Sequence, residues 1–205
     1  MAMAAMATSR AASLASLKSV SAVAALLCAA AVASSFLPLS SAGVSLLSRT
    51  CSKTAHERLC ISTLAPDGRS DAAQSVQELA AIALTVARNS TRDAVWRTTV
   101  LAGARVRTPL ERDRLAQCRA LYNECLRETT RTIGLVTAAS YDAAARASST
   151  LHWYPEKCQS LLYKQGVESA MEQTNKQVEE QLIASTDLVH LLLVRRHGAG
   201  KLNLE

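Results

Sequence analysis

The sequence predicts an all-α fold, an antiparallel up-down four-helix bundle. Apolar residues make up 49% of the 205, yet aromatics make up only 3%, so a core must be built mainly from Ala, Leu and Val. That composition favours helix packing over β-sandwiches. Four segments carry apolar or small residues in steps of three and four, the spacing of one helix face. No β-hairpin turn signal separates them. Stripes built on Ala, Ser, Thr and Cys bury little area per residue, so disulfides are the natural supplement to such a core.

Segment 1–42 reads as a secretory signal peptide. Arg10 and Lys18 are its only charges, and no acid precedes Glu57. An apolar run over 20–33 follows the basic lead. Small residues then offer two exits, Ala31-Val32-Ala33 and Ser40-Ser41-Ala42, and the second is preferred because it also removes Phe36 and Leu37. An organelle transit peptide shares the acid-free, Ala/Ser-rich composition, but six cysteines favour the oxidising route. The apolar run is shorter than the roughly 20 residues of a membrane anchor, so no membrane association is expected after cleavage. Cleavage removes two of the charges behind the net +6 and leaves +4. The remaining basic residues are scattered, with no Lys/Arg run and no interleaved aromatics, which argues against nucleic-acid binding.

The rest divides into a bundle domain over 43–195, with an N-terminal hairpin over 43–70 and the bundle over 71–195, and a flexible tail over 196–205. The first long helix spans about 72–100, with Val76, Leu79, Ala83, Val86, Ser90 and Ala94 on one face. Thr108-Pro109-Leu110-Glu111 starts the second: Thr108 caps, Pro109 takes the first helical position and Glu111 closes a capping box. Its stripe is Leu115, Cys118, Tyr122, Cys125, Thr129, Thr132 and Val136. Ser140 is read as the cap of a third helix carrying Ala144, Ala147, Leu151, Cys158 and Leu162, kinked or broken at Pro155. Gly166 punctuates the chain. The fourth stripe is Met171, Val178, Leu182, Ser185, Val189 and Leu192, ending at Arg195-Arg196-His197-Gly198. Trp96 and Trp153 are read as core, with anchors at an interface as the alternative, and Glu179-Glu180 as a solvated face.

Cys28 leaves with the signal, so five cysteines remain: two bridges and one free thiol. Cys118 and Cys125 lie two turns apart on one helix, about 10.5 Å, beyond disulfide reach. Cys51 and Cys60 bracket a short polar segment that a local bridge would staple. Cys158 can meet either Cys118 or Cys125. No CxxC occurs and the histidines are isolated, so no metal site is expected. Catalysis is not expected either: there is no G-x-S-x-G elbow, no Gly-rich phosphate loop, and His152, His190 and His197 fall near helix ends or in the tail. No cofactor is implied. Asn89-Ser90-Thr91 is an N-glycosylation sequon.

Thr50-Cys51-Ser52-Lys53-Thr54 and Leu59-Cys60-Ile61-Ser62-Thr63-Leu64 resemble the opening of plant invertase/pectin methylesterase inhibitors. So do Leu79-Ala80-Ala81-Ile82-Ala83-Leu84 with Asn89-Ser90-Thr91 behind it, and Cys118-x-x-x-Tyr122 followed forty residues after Cys118 by Cys158. The resemblance covers about 45–194. It implies a short N-terminal helical hairpin before the bundle, and bridges Cys51–Cys60 and Cys118–Cys158, leaving Cys125 as a free, buried thiol. It implies a protein of the cell wall or apoplast, with the vacuole as alternative, that binds a carbohydrate-active enzyme one to one and blocks its cleft. A Pro-Lys-Phe triplet common in invertase-directed members is missing, since no Phe follows Phe36. The target expected is therefore pectin methylesterase, with acid invertase as the alternative; a non-inhibitory bundle with a structural or binding role is the reading from another class. The family's esterase-binding face is the outer side of the second and third bundle helices, and the residues proposed for it, opposite the stripes, are Thr85, Arg88, Arg92, Glu124, Arg127 and Arg131.

Overall fold

The structure, a computed structural model, describes residues 45–105, 107–163 and 168–201. The proposed signal segment and Gly166 lie outside the described residues. All described residues fall in one unit, Val44–Glu205. They form eight helices and no strand: α1 Leu46–Cys51, α2 Glu57–Leu64, α3 Arg69–Ala72, α4 Val76–Gly103, α5 Pro109–Thr137, α6 Tyr141–Ser148, α7 Trp153–Tyr163 and α8 Glu168–Lys201.

Four columns make the bundle: α4, α5, the broken pair α6–α7, and α8. Each packs on two neighbours, α4 between α5 and α8, and α5 between α4 and α7. The antiparallel register of α4 and α5 is marked by Thr91 Oγ1, 4.0 Å from Cys125 Sγ. The hairpin α1–α2 is closed by a Cys51–Cys60 disulfide with Cα atoms 5.4 Å apart. It docks on α8, where the His56 backbone N–H donates to Asp187 Oδ2 at 2.9 Å and His56 Nδ1 lies 3.0 Å from the same oxygen.

Helix starts follow the side chains that can satisfy free N–H groups. Thr108 and Glu111 form the capping box reciprocally, with Pro109 in the first turn. α4 begins at Val76, not near Ala72. Ser75 Oγ accepts from Glu78 N and Glu78 reaches back to Gln74 N, and Ala72 belongs to α3. Ser140 stands at the start of α6 but makes no side-chain cap bond. The turn is made instead by Ala139 at φ 53°, with Ser140 N donating to Leu135 O and Ala139 N to Val136 O. That is a Schellman turn with alanine where glycine is usual. Gln77 Nε2 donates to the carbonyls of Val136 and Thr137, satisfying the end of α5 from across the bundle.

The α5 stripe is buried at all seven positions, and the α8 stripe at all six. On α4 the buried row is Ala83, Ala87, Thr91 and Ala94, whereas Val86 and Ser90 are half-buried. The expected third helix is two helices: the break falls at 149–152, ahead of Pro155, which sits buried in the first turn of α7 where its missing N–H costs nothing. α8 continues through Gly198 to Lys201, past the expected end at Arg195–Gly198, because a glycine costs a helix only about 1 kcal/mol. Both tryptophans depart from the core reading: Trp96 is 68% and Trp153 48% exposed. The Glu179-Glu180 face is only half-solvated, and burial raises the Glu179 carboxyl, with the Glu156 charge adding to it. In the core, Tyr122 donates its hydroxyl to Asn175 Oδ1, and Asn175 Nδ2 donates to Gln159 Oε1 at 2.5 Å, tying α5, α8 and α7 together.

Candidate target-binding surface

The second and third bundle columns, α5 and α7, enclose an open groove of about 370 Å³ between them. Its floor and walls are Gln117, Ala120, Leu121 and Glu124 from α5 and Tyr154 and Leu161 from α7. Helical periodicity explains the set. Gln117, Leu121 and Glu124 follow one another in steps of four and three along the α7 flank of α5. Tyr154 and Leu161 are seven apart, one position off the buried row of Pro155 and Leu162. Beneath the groove a disulfide joins Cys118 of α5 to Cys158 of α7, Cα atoms 4.8 Å apart. The two walls are therefore covalently tied.

Charged pairs run along the outer edge of α5. Arg127 pairs with Glu124, and Arg131 Nη1 lies 3.5 Å from Glu128 Oε2. The arginines are 65% and 68% exposed, so each pair adds less than about 1 kcal/mol to stability. The Tyr154 hydroxyl is held above its ordinary pKa, first by burial and then by the Glu128 charge, and stays a neutral donor at mildly acidic pH. On the far edge Trp153 presents its ring, with Lys157 Nζ 5.9 Å from its centroid and His152 edge-on at 6.0 Å. An apolar groove with an exposed indole, rimmed by both signs of charge on two rigid helices, can dock another protein; it holds no converged catalytic groups.

Glu124, Arg127 and Arg131 lie together on this face. Thr85, Arg88 and Arg92 do not: they stand on α4, the first long helix of the bundle rather than the second or third. Thr85 donates to Ala81 O at 2.7 Å and lines a different groove, against Arg69 and Ala72 of α3. Trp153, Tyr154 and Leu161 were not singled out for this face from the sequence. The seven-residue spacing of Tyr154 and Leu161 was a visible signal for them, masked by reading Trp153 as core.

Cys125 is the free thiol, fully buried between Thr91 and Thr129. Burial pushes its pKa up to about 11, so it is a packed hydrophobe rather than a nucleophile. Asn89 of the sequon is half-buried, and Thr91 is fully buried with its hydroxyl on Ala87 O at 2.7 Å. Among the described residues no three His, Cys, Asp or Glu side chains converge to hold a metal ion, and no helix is long and apolar enough to cross a membrane.

Comparison with known proteins places this architecture. Residues 45–192 match the plant invertase/pectin methylesterase inhibitor family. Among solved structures, a mutant form of a pectin methylesterase inhibitor from Arabidopsis aligns with a TM-score of 0.61 at 14% identity, over 71% of this chain and 96% of that one. No curated protein sequence matches the chain. The family match spans both disulfides and reaches all four columns of the bundle, and the chain belongs to the plant invertase/pectin methylesterase inhibitor family.

Proposed function

We propose that this chain is a secreted inhibitor that binds a pectin methylesterase one to one and closes its cleft with the α5–α7 face. The observation that carries the reading is that face: an apolar groove tied by Cys118–Cys158, with Glu124, Arg127 and Arg131 on one edge and Trp153 on the other. Blocking a polysaccharide cleft requires no chemistry from the inhibitor, only a rigid complementary surface. Family membership supports an inhibitor of either enzyme class. The missing Pro-Lys-Phe triplet favours the esterase, and acid invertase is the second reading. Residues 1–42 act as the secretion signal and are removed, and the cell wall is the site of action, which suits a domain with two disulfides.

The test is an activity titration of the oxidised protein against a plant pectin methylesterase and, separately, a cell-wall acid invertase near pH 5–6. Stoichiometric loss of esterase activity alone supports the reading; loss of invertase activity alone exchanges the target. No effect on either by folded protein overturns it. Trp153→Ala is expected to weaken inhibition about tenfold or more, as the truncation of an exposed aromatic anchor at an interface does, with no change in the unfolding temperature.

A further inference from the structure

The seam between α4 and α5, outside the α5–α7 face, carries four arginines with no ionic partner. α5 turns Leu121 and Glu124 toward α7, and α4 turns Ser90, Asp93, Trp96 and Arg97 toward α8, where Arg97 Nε donates to Ala170 O at 3.0 Å. The remaining flanks of α4 and α5 face each other. At 3.6 residues per turn, those flanks hold Arg88 and Arg92 of α4 and Arg112 and Arg119 of α5. Arg92, Arg112 and Arg119 are exposed and Arg88 is half-buried. Among the described residues none of the four forms an ion pair. Arg112 only donates Nη1 to Arg107 O at 2.7 Å.

The acids of both helices are placed elsewhere. Glu78 and Glu111 accept backbone N–H groups at the helix starts. Asp93 faces the α8 groove and Glu124 the α7 groove. Asp113 accepts from Gln117 Nε2, and Glu128 pairs with Arg131. The seam is thus a line of uncompensated positive charge. The Thr91–Cys125 contact orders it along the bundle axis as Arg88, Arg92, Arg119, Arg112, about 24 Å from end to end at 1.5 Å per residue.

We infer that this seam binds a linear polycarboxylate sugar chain, a de-esterified polyuronate. A guanidinium receives a carboxylate through two parallel N–H···O bonds, and arginines in file match an acid that recurs along a chain. Exposed Asn123 beside the line offers both a donor and an acceptor to hydroxyls. The choice of a polysaccharide among polyanions rests on the extracellular function proposed above; the charge line does not. An inhibitor so equipped would concentrate where an esterase has already exposed carboxylates.

The experiment titrates purified oxidised protein with de-esterified oligogalacturonates, the same chains fully methyl-esterified, and an oligodeoxythymidylate of equal charge, without any enzyme present. The result expected is binding of the de-esterified chains that weakens steeply with added salt. Esterified chains and the oligonucleotide should bind at least tenfold more weakly. The Arg112→Gln/Arg119→Gln variant should lose at least tenfold in affinity while its unfolding temperature and its esterase titration stay unchanged. No binding of the de-esterified chains at low salt, equal binding of the oligonucleotide, or undiminished binding by the variant would each overturn the inference. Because this titration contains no esterase, its failure is distinct from a failure to inhibit.

Discussion

Ala139 bears the one positive φ among the described non-glycine residues, 53°. The left-handed region costs a residue with a Cβ roughly 1–2 kcal/mol, partly offset by the lower unfolded-state entropy of alanine relative to glycine. Ala139→Gly should therefore raise stability by about 0.5–1 kcal/mol, read as a higher denaturant midpoint with an unchanged slope. Cys125 makes the opposite point, that reactivity is set by surroundings. Burial pushes its thiol up to about 11, with only weak opposition from the Thr129 and Thr91 hydroxyls. At pH 8 native protein should leave Cys125 unreacted with iodoacetamide, and denaturant should expose one thiol in a chain of residues 43–205. Dimerisation through Cys125 in oxidised native protein would contradict this. The exposed bidentate pair of Asp67 and Arg69 holds the Asp67 carboxyl near 2, chiefly through the hydrogen bonds from Arg69. A lowered pKa contributes stability that is complete above the ordinary carboxylate value and is lost as pH falls toward 2. With Arg69 57% exposed, the pair is worth under about 1 kcal/mol. Asp67→Asn should lower the unfolding temperature slightly at pH 5–7 and progressively less as pH falls toward 2.

At the scale of elements, α5 was the most legible helix. Its start was written in Thr108-Pro109-Leu110-Glu111, and its seven-residue stripe mixes Leu, Tyr, Cys and Val with polar flanks, so one phase stands out. The α4 stripe drifted because Ala, Ser and Thr differ little in hydropathy. Steps through Val86 and Ser90, or through Ala87 and Thr91, are equally periodic, and contact with Cys125 selects the second. The α6–α7 break was expected at Pro155 and occurs before it, because proline is tolerated in a first turn. The two disulfides act on different spans. Cys51–Cys60 closes nine residues of sequence separation and Cys118–Cys158 closes forty. On the chain-entropy argument they are worth about 2.7 and about 4 kcal/mol. Replacing Cys118 and Cys158 by Ala should lower the unfolding temperature more than replacing Cys51 and Cys60, as calorimetry on the two double variants would register. The reverse order would mean that the hairpin's docking on α8 depends on its bridge more than loop entropy allows.

For the whole molecule, the sequence alone determined the class and much of the frame. Sparse aromatics and four stripes required an all-α bundle, and the capping box set where its second long helix begins. Quoted against a family pattern, four cysteines carried the pairing. These properties are local or one-dimensional: spacing, capping and composition can be read along the chain. What only the tertiary structure decided is which flank of each helix stays open. An amphipathic stripe says what is buried and not which neighbour lies to its left or right. Thr85, Arg88 and Arg92 therefore looked equivalent to Glu124, Arg127 and Arg131 in sequence, yet the packing order of α8, α4, α5 and α7 puts them on separate seams. The same ordering left Trp96 and Trp153 outside a core already filled by Tyr122, leucines and alanines. Surface identity in a bundle is a property of helix order around the core, and that order exists only once the helices pack.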